Sequence, residues 1–188
     1  VAACAEAVRR VGHRTRYVPS LSGSLDDLRR QARAAREAGI DTVLVAPMLA
    51  GWSNVVALGR DFPDLAFIAH PTMGGLRIAP DLLIGRLFPL IGADAVVFPT
   101  HGGRFGYSAA TCRSLAENAR VSVHRQRPCL PVPAGGITLA RVPELLDFYG
   151  PDTMLLVGGS LLAARERLTE ETAAFVHAVA GHGYQGKT

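Results

Sequence analysis

Short apolar runs alternate with amphipathic segments along the whole chain, six times over. The runs fall at 17–18, 42–46, 65–69, 95–98, 129–133 and 154–157, and each is followed by a segment with helical periodicity. The first of these segments is well marked. Ser24 with Asp27 three residues on is a capping-box pattern, Leu25, Leu28, Ala32 and Ala35 make one apolar face, and Gly39 closes the helix. The others are expected at 54–60, at 81–91 with Pro89 bending or ending it, at 108–118 behind Ser108, at 138–149 behind Thr138, and from Thr169 to about Gly181. Tyr17-Val18 is read as the first strand.

Such alternation, recurring about every 23 to 35 residues, means parallel strands joined by right-handed helical crossovers. An open doubly wound sheet and a barrel both satisfy it. The barrel is favoured because the conspicuous residues all follow the C-terminal ends of runs, where a (β/α)8 TIM barrel carries its chemistry. A complete barrel has eight strands in roughly 250 residues. These 188 residues are two units short. The expectation is one α/β unit over 1–188, an incomplete TIM barrel segment covering about strands 3–8. The N-terminal domain and strands 1–2 are expected upstream of Val1.

Composition agrees with a buried parallel sheet. Hydrophobic residues make up 48% of the chain and aromatics only 6%, so aliphatic packing dominates. No apolar run reaches the roughly 20 residues of a membrane span, and the start lacks the order of a secretion signal. The three cysteines are odd in number and form no CxxC, which argues for reduced thiols in a cytoplasmic protein. The net charge of +4 comes almost wholly from scattered arginines, Lys187 being the one lysine. Without a coherent basic stripe this excludes a nucleic-acid surface and suits a small anionic substrate.

Two glycine pairs point to what that anion is. Gly135-Gly136 and Gly158-Gly159 directly follow the last two apolar runs. Glycine turns let backbone N–H groups approach a ligand without a Cβ in the way, and the loops after strands 7 and 8 of a barrel commonly hold phosphate. Ser160 is a further donor beside the second pair. His70 ends the third run, and His101 lies in the glycine-rich loop that follows the fourth. Both are candidate acid/base or hydrogen-bonding groups. Arg104, in the same loop, is the charged donor of a segment that closes on the anion. No lysine ends a strand, which removes Schiff-base chemistry. No Asp or Glu does either, so this segment alone assembles no oxygen-ligand metal site.

In these residues the chain resembles the C-terminal barrel of the RuBisCO large-chain superfamily. The resemblance is most specific in Leu130-Pro-Val-Pro-Ala-Gly-Gly-Ile137, Val142-Pro143-Glu-Leu145, Gly150-Pro-Asp152 and Leu156-Val-Gly-Gly-Ser-Leu161. It extends to His70-Pro-Thr-Met73 and to Ala46-Pro47 through Gly51. It implies that the four paired glycines hold one substrate phosphate and that His70 is the strand-5 active-site histidine. Arginine is replaced by Pro71, serine by Ala134 and a strand-end histidine by Phe98, while Arg104 stands as the loop's only cation. The resemblance is therefore to a RuBisCO-like protein and not to a carboxylase. It implies a homodimeric enzyme that stabilises an enediolate of a phosphorylated keto-sugar or keto-acid with Mg2+, isomerising, enolising or decarboxylating it. The metal ligands would lie upstream of Val1, and the segment alone would be inactive. The competing expectation is a truncated barrel that keeps only phosphate binding or subunit association. Aldolase and epimerase barrels fit less well, lacking the strand-end lysine and the paired acids.

Overall fold

A computed structural model describes residues 1–12, 15–74, 78–103, 105–122 and 127–184. Five strands, β1 (Ser20–Leu21), β2 (Thr42–Val45), β3 (Ala66–Ala69), β4 (Ala95–Pro99) and β5 (Leu130–Ala134), form one sheet in the order β1-β2-β3-β4-β5. Every pairing is parallel. Spatial order follows chain order without the reversal that defines a doubly wound sheet, so the sheet is a section of barrel wall.

Side chains alternate across that wall, as a strand period of two demands. Ile68, Ala95, Val97 and Val132 pack together on the inner face, with Leu44, Leu130 and Ala134 against them. Val43, Val45 and Phe67 point outward into a core with Leu28, Ala32 and Ala35 of α2 (Leu25–Glu37) and Val55 and Leu58 of α4 (Trp52–Asp61). Val96 and Phe98 join a second outer core with Leu115 of α7 (Ala109–Arg120) and Leu145 and Leu146 of α8 (Val142–Tyr149). The capping box of α2 forms as expected, with the Ser24 hydroxyl accepting from the Asp27 amide and the Asp27 carboxylate from the Ser24 amide. Such caps contribute about 1 kcal/mol. At α7 the Ser108 hydroxyl accepts from the Thr111 amide, a cap without the reciprocal half of the box.

The first strand lies at Ser20–Leu21, three residues beyond the expected Tyr17-Val18. Leu21 is buried, whereas Tyr17 only packs on the rim of the outer core. The helix expected at 54–60 is preceded by a short turn, α3 (Pro47–Ala50), and Gly51 with φ +86° separates it from α4. Residues 81–91 do stay helical through Pro89. A π-turn at Leu83–Leu87 lies between α5 (Pro80–Leu82) and α6 (Phe88–Leu90), so the carbonyls ahead of the proline adopt a wider spacing where its missing N–H would leave one unpaired. Thr138 makes no capping hydrogen bond. The last helix, α10 (Leu168–Ala180), starts one residue before Thr169.

The sixth run, 154–157, is a partial strand. Ala134 and Leu156 form a single parallel bridge, and the Met154 and Leu156 amides donate to Pro131 and Pro133 at 3.1 and 3.0 Å. The residues of β5 that face this run are its two prolines. In a parallel ladder the N–H and C=O of one residue point to the same neighbour, so Pro131 and Pro133 accept but return nothing. α9 (Gly159–Ala164) follows.

Cys112 and Cys129 are buried and Cys4 is exposed, all three as free thiols. The Cys129 thiol donates to the Ala93 carbonyl at 2.6 Å, and burial pushes it up to about 12, which makes it inert. No described helix is long and apolar enough to cross a membrane.

Candidate functional site

The strand ends converge on a cleft of about 720 Å3. His70 enters its wall from the end of β3, Gly135 and Gly136 from the end of β5, and Gly158 and Gly159 from the partial sixth strand. Residues almost 90 apart in sequence are thus brought into one cavity by the barrel's habit of ending every strand on the same side. A smaller hollow of about 310 Å3, lined by Ser20, Ser22, Ala46, Leu49 and again His70 and Thr72, continues the same face towards β1.

The two glycine pairs differ physically. Gly135 and Gly136 have φ of +82° and +69°, a left-handed conformation that a side chain disfavours. A Cβ on Gly136 would lie 2.9 Å from the Cα of Gly103, and one on Gly103 would lie 2.9 Å from the Gly135 carbonyl oxygen. The first pair is therefore required by the fold, because the loop after β4 packs backbone to backbone against it. Gly158 and Gly159 have no such constraint. Their φ is not positive, and a Cβ on either would meet no described atom within 4 Å. Both still face the cleft. Among the described residues, the amides of Gly136, Gly158 and Gly159 donate no hydrogen bond.

His70 is held in one tautomer. The Thr72 backbone N–H donates to His70 Nδ1 at 3.2 Å, and the Thr72 hydroxyl lies 2.6 Å from the same nitrogen. A backbone N–H can only donate, so Nδ1 accepts and the ring proton resides on Nε2. Burial pushes the imidazole below its ordinary 6.5, which keeps it neutral. The unfolded chain then binds more protons than the folded one just below pH 6.5. Stability from this group is complete above that value and falls as the pH drops through the window beneath it. Denaturant melts between about pH 5 and 7 should show this slope, and His70→Gln should flatten it. Parallel curves for parent and variant would remove the assignment.

His101 does not line the cleft. Its Nε2 lies 2.9 Å from Glu144 Oε1, and its ring stacks on Phe148 with centroids 4.5 Å apart. The side chain turns outward against α8, because an apolar ring and a carboxylate partner wait there. Ser160 is likewise turned from the cavity. Its hydroxyl donates to the Ile137 carbonyl at 2.8 Å and so ties the second glycine turn to the first. Arg104 lies outside the described residues, as do His13, His124 and Lys187.

Apart from Thr72 and Tyr107, the rest of the wall is apolar. Pro71, Met73, Ile78, Leu83, Phe98 and Ala134 supply much of its wall. Met73 adopts φ +62°, an uncommon conformation for a non-glycine residue, at the cleft mouth. Two residues escaped notice in the sequence, Arg141 and Glu144. The Arg141 guanidinium donates to Glu144, to the Gly136 carbonyl at 3.3 Å and to the His101 carbonyl at 3.0 Å. Arg141 beside it is the largest influence holding the Glu144 carboxyl below the usual range. The i,i+3 spacing of opposite charges at a helix start was the available signal. Among the described residues no three His, Cys, Asp or Glu side chains gather as a metal site.

No protein-family model matches the chain. It is 56% identical over 186 residues to the 5-methylthioribulose-1-phosphate isomerase of Rhodospirillum rubrum, a match that covers 98% of this chain and 50% of that protein. It is 54% identical over 168 residues to ribulose bisphosphate carboxylase-like protein 1 of Rhodopseudomonas palustris, covering 89% and 46%. The crystal structure of a Rubisco-like protein from Rhodopseudomonas palustris superposes with a TM-score of 0.88 at 49% identity, over 98% of this chain and 51% of that one. The chain spans about half the length of these relatives. In sequence and in fold alike the chain resembles the RuBisCO-like proteins over about half of their length.

Proposed function

We propose that this chain forms the phosphate-holding side of the active site in a RuBisCO-like isomerase. Its substrate is a phosphorylated keto-sugar of the 5-methylthioribulose 1-phosphate type. The observation that carries this reading is the single cleft that joins both glycine turns to His70. The amides of Gly136, Gly158 and Gly159, which donate no hydrogen bond among the described residues, suit a phosphate dianion, and Arg104 would add the charged donor.

The rest of the substrate follows from the remaining wall. Pro71 and Ala134 offer no donor to a second phosphate, whereas an apolar methylthio end fits against them and Met73. Isomerisation moves a carbonyl along the sugar by taking a proton from one carbon and returning it to its neighbour, with no net redox change. Negative charge builds on oxygen between those steps. A neutral histidine presenting Nε2–H is a fitting donor to that oxygen. The Mg2+ that the family resemblance implies finds no ligand set among the described residues, whose strand ends carry no Asp or Glu.

The test is an assay of the protein that carries this chain, with Mg2+ present, on 5-methylthioribulose 1-phosphate and on ribulose 1,5-bisphosphate. Isomerised product from the first and no CO2 incorporation into the second are expected. Carboxylation of the bisphosphate, or inertness towards every phosphorylated keto-sugar, would overturn the reading.

A further inference from the structure

We infer that Arg141 is the positioning residue of the phosphate-binding turn. It acts on the ligand only through the backbone it holds. This rests on the reading of the glycine turns as a phosphate cradle.

Gly135 and Gly136 are the least restrained residues a chain can place at a binding site, and two in succession must be fixed from outside. Arg141 is placed to do this. It stands at the junction between the 3-10 turn Leu139–Arg141 and α8. One terminal nitrogen of its guanidinium donates to the Gly136 carbonyl at 3.3 Å, and the other donates to the His101 carbonyl at 3.0 Å. Its Nε donates to Glu144 at 3.1 Å, and Glu144 in turn meets His101 Nε2 at 2.9 Å. One planar fork thus joins the turn after β5, the loop after β4 and the start of α8. Only a guanidinium has the donors and fixed geometry for three such partners. Gly102 has no Cβ where the guanidinium packs, 3.3 Å away. The side chain is 22% exposed and does not line the cleft. With its charge met by Glu144, its contribution is the orientation of peptide groups rather than long-range attraction of the anion.

Inorganic phosphate, titrated calorimetrically and as a competitive inhibitor, is the probe in the protein that carries this chain. Arg141→Ala should weaken phosphate binding about tenfold or more, raising KM more than it lowers kcat. Free guanidinium at low millimolar concentration should restore much of the affinity, whereas Arg141→Lys should recover little, since one ammonium cannot serve three partners. A merely structural arginine would lower the melting temperature without a guanidinium-reversible change in phosphate affinity. Unchanged affinity in Arg141→Ala, or a loss that guanidinium leaves in place, overturns the inference. Gly158→Asp separates the two readings. If the parent binds phosphate, Gly158→Asp does not and Arg141→Ala still does, only the role of Arg141 falls. If the parent takes up no phosphate, both fall.

Discussion

Gly158→Asp should lose phosphate binding while melting no earlier than the parent protein. Gly158 is the N-cap of α9, and no described atom would meet a Cβ there. Aspartate is among the best N-cap residues and glycine only a fair one, so the substitution is neutral to slightly stabilising. The same carboxylate would stand in the cleft where the proposed phosphate sits. Two unit charges about 4 Å apart at an effective dielectric near 20 repel by about 4 kcal/mol, and a phosphate dianion roughly doubles that. A loss of at least about 100-fold in phosphate affinity is expected, with activity falling in parallel. Gly158→Ser, which adds bulk without charge, should lose far less. Calorimetric titration with inorganic phosphate beside a thermal melt decides the matter. Full affinity in the aspartate variant would place the anion elsewhere.

Gly136→Ala should show the opposite pattern, a stability defect. The added methyl meets the Gly103 Cα at 2.9 Å, and the backbone keeps φ +69°. The conformational term is about 1–2 kcal/mol and the overpacking term about 1–3 kcal/mol. A destabilisation of about 3 kcal/mol lowers the melting temperature of a chain this size by roughly 6–12 °C. Gly159→Ala is the control, since nothing described lies within 4 Å of its Cβ. A melting temperature within a degree or two of the parent for Gly136→Ala would mean that the loop after β4 yields readily.

These contrasts show which layers of the molecule could be read from residues alone. Strand–helix alternation sufficed for the parallel sheet, because apolar runs such as 42–46 and 95–98 have no other stable place than a wall covered on both faces. The cleft membership of His70 and of the glycines followed from their positions after strand ends. What stayed hidden was orientation. Histidine at a strand end and histidine one turn into a loop look alike in sequence, yet His70 faces the cavity and His101 faces α8. Nothing local distinguishes them. The difference is made by Phe148 and Glu144, more than 40 residues downstream, which receive the ring of His101. Ser160 misled for the same reason, since its partner, the Ile137 carbonyl, arrives only with the fold. The identical appearance of the two glycine pairs concealed that one serves the chain's own packing and the other leaves room. The weak sixth strand was legible in principle. Prolines at 131 and 133 remove alternate donors, and their shared parity means that every missing donor falls on the same side.

That one-sided loss has a consequence for energetics. β5 and the 154–157 segment form a seam with acceptors on one side and too few donors to complete it, yet each lip of the seam carries one glycine turn. A phosphate gripped by both turns would serve as a non-covalent rivet across the joint, its oxygens accepting from the glycine amides on each lip. Ligand occupancy and closure of the barrel wall would then be one linked equilibrium. The wall would tighten as phosphate rises, and the substrate would help to hold shut the site that binds it.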